Sequence, residues 1–341
     1  RNGARGLDDR GKAQADLCAG AKRAIANGLI LGLMALPASA ETLRIATFNT
    51  DLARDGPGLL LRDILKGADD VLSARAAVDA VAPDIIALQS FDYDLTGAAL
   101  SAFVECLGRD YPHRFALLPN TGMPSGVDLN GDRRLGTERD AQGFGRFHGQ
   151  GGMAILSRYP VLTEAVVDHS AFIWSELEGG LWAAPDVLTE AARPVQRLPT
   201  TGHWEVPVAI GQNVLTLLTY HATPPVFDGP EDRNGRRNAD ETLFWLSRLA
   251  KVENPILLGD ANLDPARGDG RSEAMQTLLA NPLLQDPLAG TDSVVFEQTG
   301  PLRVDYVLPA AALRVVDAGL HWPMGDDASR HAVIWVDIAF P

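Results

Sequence analysis

Five short fragments, far apart in the chain, each place Asn, His or Asp at the end of a strand-like run. They are Ile45-Ala46-Thr47-Phe48-Asn49, Leu218-Thr219-Tyr220-His221, Ile256-Leu257-Leu258-Gly259-Asp260-Ala261-Asn262, Arg303-Val304-Asp305-Tyr306-Val307 and Ser329-Arg330-His331. The apolar runs have strand length rather than helix length. A chain built this way is constrained to sheets whose strand ends carry polar groups, and strand ends are where α/β proteins place their ligands. The two His, two Asp and two Asn so gathered suit a divalent cation together with a phosphate group.

The intervening sequence alternates between strand and helix signals. Leu43–Asn49 reads as a strand, Leu59 to Ala82 as helix-rich and ended by Pro83, and Asp84 to Gln89 as a buried strand. Leu95 to Leu107 reads as a helix, Met153 to Ser157 and Val214 to Tyr220 as strands, and Glu241 to Val252 as an amphipathic helix. Pro255 to Gly259, Val304–Leu308 and Val333–Ile338 are further strands, and Arg271 to Leu279 a further helix. Strands and helices are not segregated, so the expected class is α/β, or mixed α+β. No internal repeat and no dividing linker is visible.

Residues 1–40 read as an extension and a secretion signal, and residues 41–341 as one domain. Lys22 and Arg23 precede a short apolar stretch, Ala24 to Leu36, and Ala38-Ser39-Ala40 gives the small-residue cleavage pattern. Cleavage after Ala40 would deliver a secreted or periplasmic protein. The stretch is too short to span a bilayer comfortably, and no other segment is a candidate. The formal net charge is −14, and residues 1–40 hold more Lys and Arg than Asp, so the remainder is more acidic still. Such a surface disfavours tight, non-specific nucleic-acid binding. No protein partner is implied.

Asn120 to Gly152 stands apart, with nine glycines and few apolar residues. A loop of that length in a compact domain is usually functional. Asp128, Asn130 and Asp132 offer oxygens at alternate positions, as calcium loops do, but Arg133 and Arg139 stand where Gly and Glu are wanted, which favours an Asx-rich surface turn. Gly143 and Gly145 just precede Arg146 and give a backbone able to approach a substrate. Arg237 and Asn238, at the end of an arginine-rich stretch before a helix start at Asp240, suit an anionic substrate, as does Arg330.

Taken together, the fragments resemble the endonuclease/exonuclease/phosphatase superfamily, the deoxyribonuclease-I-like hydrolases. Thr47-Phe48-Asn49 is similar to its first motif and Gly152-Met153-Ala154-Ile155-Leu156-Ser157-Arg158 to its central strand. Tyr220-His221, Gly259 to Asn262, Arg303 to Tyr306 and Ser329 to His331 follow in the family's order. The resemblance implies a four-layer sandwich, two mixed β-sheets packed face to face with helices outside. It implies a phosphodiester or phosphomonoester substrate, nucleic acid among the candidates, and Mg²⁺ as cofactor, with Mn²⁺ or Ca²⁺ suiting the same oxygen ligands. His221, Asp260, Asn262, Asp305 and His331 would carry catalysis, Asp260 acting on water and Asp305 orienting the His331 ring.

Two positions depart from the family pattern. Its second motif ends Gln-Glu, with Glu the main metal ligand, whereas this chain reads Gln89-Ser90. Asp92 and Asp94 follow at once, so the expected metal set is Asn49 with Asp92, and with Asp94 if the strand bends; the other reading is that the two Asp begin a loop and cap the helix at Leu95. The last motif carries Arg330 where the family commonly has Asp. These changes support a second reading, an impaired pseudoenzyme or anion-binding module of the same fold.

Overall fold

A computed structural model describes residues 41–340; the expected extension and secretion signal lie outside the described residues. Thirteen strands and five α-helices follow one another along the described chain. One sheet joins β1 (Glu41–Asn49), β2 (Ile85–Phe91), β3 (His113–Phe115), β4 (Gly152–Ser157), β12 (Arg314–His321) and β13 (Val333–Phe340), in the order β12-β13-β1-β2-β4-β3. The other joins β5 (Val167–Asp168), β6 (His203–Ile210), β7 (Asn213–His221), β8 (Pro255–Asp260) and β11 (Asp305–Pro309), in the order β11-β8-β7-β6-β5. Each is mixed: β1 and β2 run parallel in the first and β7 and β8 in the second, while the other pairs are antiparallel. A short ribbon of β9 (Val294–Phe296) and β10 (Gly300–Leu302) stands beside them.

The layers follow from the two-residue period of the strands. Leu43 and Ile45 of β1 and Ile85 and Ala87 of β2 point between the sheets, where they meet Val206 and Val208 of β6, Leu217 of β7 and Ile256 and Leu258 of β8. The alternate residues Ala46, Phe48, Ile86 and Leu88 face the other way, against α1 (Leu59–Lys66), α2 (Asp69–Val81) and α3 (Ala98–Glu105). Leu218, Tyr220, Leu257, Tyr306 and Leu308 likewise face α4 (Arg233–Phe244) and α5 (Ser272–Leu279). The result is helix, sheet, sheet, helix, the sandwich expected from the sequence.

The helix-rich stretch from Leu59 to Ala82 holds two helices, divided at Gly67, whose left-handed backbone (φ 67°) ends α1. One expectation shifts. The helix expected over Glu241 to Val252 instead spans Arg233–Phe244 and continues only as short 3₁₀ turns. Its amphipathic signal misled because α4 buries polar side chains. Arg237, Asn238 and Glu241 are all buried. Glu241 accepts the backbone N–H of Thr200 through Oε1 and of Thr223 through Oε2 (2.6 and 2.7 Å). Asn238 Nδ2 donates to the carbonyls of Thr223 and Ala261 (2.8 and 2.7 Å). Arg237 donates to the carbonyls of Leu198, Gln142, Arg197 and Pro199. The helix therefore clamps the turns that leave β7 and β8.

Glu241→Ala would strip both N–H groups of their acceptor and leave the buried Arg237 guanidinium without its counter-charge. The expected loss is roughly 3–5 kcal/mol of unfolding free energy, with a smaller loss for Glu241→Gln, read from urea denaturation.

Candidate active site

β7, β8 and β11 bring three polar side chains into one row. His221 lies opposite Asp260 in the parallel pair, and Asp305 opposite Asp260 in the antiparallel pair. Each keeps the parity of inward-facing neighbours: Leu215 and Leu217 before His221, Ile256 and Leu258 before Asp260, Val307 after Asp305. Asn49 ends β1 at the parity of Leu43 and Ile45, so it enters the same gap from the other sheet, and its Nδ2 donates to Asp260 Oδ2 at 2.7 Å. The gap between the sheets is apolar along its length and polar at this end. Gly259 permits the row. Its φ is 142°, and a Cβ there would sit 2.0 Å from the Tyr220 carbonyl oxygen.

Asp260 is fully buried and held on several sides. Besides Asn49, it accepts the backbone N–H of Asn262 on Oδ1 at 2.8 Å, and His221 Nε2 lies 3.5 Å from Oδ2. Asn262 adopts a left-handed backbone (φ 48°), and its Nδ2 donates to the Ala222 carbonyl at 3.0 Å. Burial, and then the negative charge of Asp305, raise the Asp260 pKa above the usual carboxylate range. Burial lowers that of His221, which is therefore neutral at pH 7.

His331 and Asp305 form a buried dyad, with Nδ1 2.9 Å from Asp305 Oδ2. Burial alone would lower the imidazole. The charge of Asp305 and the hydrogen bond to it outweigh burial and raise His331 to about 9. Two hydroxyls fix the dyad. Ser293 Oγ donates to Asp305 Oδ2 at 2.8 Å while accepting the N–H groups of Val304 and Asp305. Ser329 Oγ donates to the Asn49 carbonyl at 2.7 Å and accepts the His331 N–H at 3.1 Å.

A model of the endonuclease/exonuclease/phosphatase family matches residues 46–331. The chain belongs to this family. Its members are hydrolases that act on phosphoesters. Among solved structures, an endonuclease/exonuclease/phosphatase from Beutenbergia cavernae DSM 12333 superposes with a TM-score of 0.55 at 19% identity, over 88% of this chain and 72% of that one. A family protein from Leptotrichia buccalis C-1013-b gives 0.52 at 17%, over 87% and 100%. The 3'-5' exonuclease from Neisseria meningitidis gives 0.50 at 17%, over 87% and 100%. At these identities the likeness is one of fold. No curated protein sequence matches the chain.

The structure gathers Asn49, His221, Asp260, Asn262, Asp305 and His331, with Arg330 at their edge paired to Asp51, but not Asp92, Asp94, Arg146, Arg237 or Asn238. Asp92 accepts the N–H of Arg54 and of Gly151 at 3.0 and 2.8 Å, which spends both carboxylate oxygens on backbone. Burial raises its pKa to about 6. Asp94 accepts the N–H groups of Thr96, Ala98 and Ala99 and so caps α3. Arg146 is half-exposed and paired with Asp55. Arg237 and Asn238 are the buried clamps of α4 rather than anion ligands, because their donors are spent on carbonyl groups. Ser90 sits at a register shift between β2 and β4 with φ 54°, and its carbonyl accepts Thr50 Oγ1. Asp128, Asn130 and Asp132 bond to backbone N–H groups within their own exposed loop, as an Asx-rich turn does.

The metal set of Asn49, Asp92 and Asp94 is thus not assembled. Another set is present: ligand atoms of Asp260, Asp305 and His331 lie within 4.8 Å of one another. Asp305 Oδ1 is buried with no hydrogen-bond partner. Two buried carboxylates, one with an unused oxygen, fit a hard divalent cation. Sequence reasoning missed Asp51, Ser293 and Ser329 as site-shaping residues. Asp51 lies two residues past Asn49 and Ser329 lies inside a quoted motif, so both were within reach; Ser293 had no local signal.

Two outcomes follow. Asp92→Ala should cost roughly 2–4 kcal/mol by leaving two N–H groups unpaired, with ion affinity by calorimetry unchanged. For His331, the folded pKa lies above the unfolded 6.5, so its contribution to stability is full below about 6.5 and is lost as pH rises through about 9. An NMR titration should find the imidazole near 9, and Asp305→Asn should return it toward 6.5.

Proposed function

We propose that the chain hydrolyses a phosphodiester or phosphomonoester by metal-assisted attack of water, and that it does so after export, in the periplasm or outside the cell. The observation that carries this reading is the buried Asp305–His331 dyad beside a buried Asp260 of raised proton affinity. Asp260 takes a proton from water as the water oxygen bonds to phosphorus. His331, its Nδ1–H held by Asp305, gives the proton on its other ring nitrogen to the departing ester oxygen as the P–O bond breaks. Asn49, Asn262 and neutral His221 keep the Asp260 carboxylate in place.

A divalent cation, Mg²⁺ by default and Mn²⁺ or Ca²⁺ on the same donors, would be held by Asp260 and Asp305 beside His331 and would supply positive charge to a non-bridging phosphate oxygen. Export rests on the signal-like pattern ending at Ala40, and no helix of the described residues is long and apolar enough to cross a membrane. A 3'-5' exonuclease shares the fold, so nucleic acid belongs among the substrates to be tried. The acidic chain favours a short or small ester over a long polyanion.

The test is hydrolysis of bis-p-nitrophenyl phosphate, then of DNA, RNA, a phospholipid, an inositol phosphate and a simple monoester, each with Mg²⁺, Mn²⁺ or Ca²⁺ and with chelator. Turnover should fall on chelation and drop by about 10²–10⁴-fold in Asp260→Ala and in His331→Ala. Turnover equal to wild type in either variant would defeat the mechanism, and an anion bound without turnover would favour the binding-module reading.

A further inference from the structure

Arg330 reverses the charge that the family pattern leads one to expect at this position, and the structure shows where the new charge goes. Its Nε and Nη2 donate to Asp51 Oδ2 and Oδ1 at 2.9 and 3.0 Å, a two-pronged pairing. The Arg330 backbone N–H lies 3.3 Å from the same Oδ2. Asp51 reaches back from a left-handed backbone (φ 51°) two residues beyond Asn49. On either side of Arg330 the chain is pinned by Ser329, which bonds the Asn49 carbonyl, and by the His331 dyad. The guanidinium carbon lies 5.3 Å from the centre of the Phe296 ring. The His331 imidazole meets the same ring edge-on at 5.8 Å between centres. One aromatic side chain therefore carries both the guanidinium and the catalytic imidazole, and fixes the distance between them.

The guanidinium is pre-set but not used up. Of its five N–H donors Asp51 takes two, leaving the Nη1 pair and one Nη2 hydrogen. The side chain is 57% exposed. Arg330 and Asp51 form one wall of an open depression of about 800 Å³, whose other charged lining residues are Arg54, paired with Asp63 and Asp70, and Asp69, Asp326 and Asp327.

We propose that Arg330, locked by Asp51 and seated on Phe296, is the anion anchor of the site. It receives a non-bridging oxygen of the phosphate with its free N–H groups while His331 faces the reacting bond. The anchor rests on the reading of this site as a phosphoester site and adds to it a fixed cation that no chelator removes. A planar fork suits a phosphate better than a lysine ammonium does, because it binds two oxygens at once.

The test is calorimetric titration of inorganic phosphate into the full chain stripped of metal and kept in chelator. Wild type should bind phosphate. Arg330→Ala should weaken binding by at least about ten-fold, the worth of a charge-assisted hydrogen bond. Arg330→Lys, which keeps the charge and loses the fork, should fall between the two, and Asp51→Asn should also weaken binding. Phosphate affinity in Arg330→Ala equal to wild type would overturn the anchor, as would a stripped wild type that binds no phosphate. The two readings fail separately. Phosphate binding that depends on Arg330 in a protein that turns over no ester sinks the hydrolase and leaves the anchor. Ester turnover with an unchanged KM in Arg330→Ala sinks the anchor and leaves the hydrolase.

Discussion

Two carboxylates of like charge, Asp260 and Asp305, are buried opposite each other on adjacent strands, and the rest of the site is arranged around that cost. Neither is more than 1% exposed. Removing such groups from water costs several kcal/mol each, after relaxation, unless charge and hydrogen bonds answer them. Here the answers come from every direction. Asn49 reaches across from the other sheet, Asn262 turns back its own N–H, His221 stands beside Oδ2, and Ser293 and His331 take up Asp305. The cost of burial shows in the upward shift of Asp260, while the upward shift of His331 records the compensating charge and hydrogen bond of Asp305. A pair poised in this way exchanges protons readily, which is what a hydrolytic site requires.

The sandwich makes this arrangement affordable to the fold because the carboxylates sit where its apolar filling ends. The inward residues of β8 are Ile256 and Leu258 before Asp260, while those of β1 and β7 turn polar one step earlier, at Thr47 and Thr219, ahead of Asn49 and His221. Burial of the aliphatic part stabilises the strands, and their register then fixes the polar tips without further freedom. α4 completes the support from outside. Its buried Asn238 and Glu241 bond the turns just past His221 and Asp260, so a helix that touches none of the reacting groups sets the position of two of them.

The architecture was legible in the sequence wherever a strand read cleanly, as for Leu43–Asn49, Pro255 to Gly259 and Val333–Ile338. β6 was not, because Pro207 breaks the strand pattern although it pairs in register with Thr216. The six converging side chains were legible because strand parity assigns each a face and the strand end assigns each a depth. Asp92 and Asp94 were misleading because a carboxylate two residues along a strand has the right chemistry, while its hydrogen bonds depend on which loop N–H groups come near. Arg54, Gly151 and Ala98 supply those groups from distant or following segments. Arg237 and Asn238 misled for the same reason: an arginine near a helix start signals an anion only when its donors are free, and here the carbonyls of Gln142, Arg197, Leu198 and Pro199 take those of Arg237.

The departures at Ser90 and Arg330 become one change when the charges are placed. Ser90 removes a carboxylate from the lip of the site, and Arg330 replaces another with a cation that Asp51 then neutralises. Arg330 and Asp51 neutralise each other, while the buried Asp260 and Asp305 share one imidazolium between them. On the proposed reading, a divalent cation would be held by the inner pair, where Asp305 Oδ1 has no hydrogen-bond partner. The outer position is left to a guanidinium, which cannot diffuse away and whose charge does not depend on pH in the working range. On the proposed reading, charge for the phosphate would come from two sources of different kinds, one fixed by the covalent chain and one exchangeable.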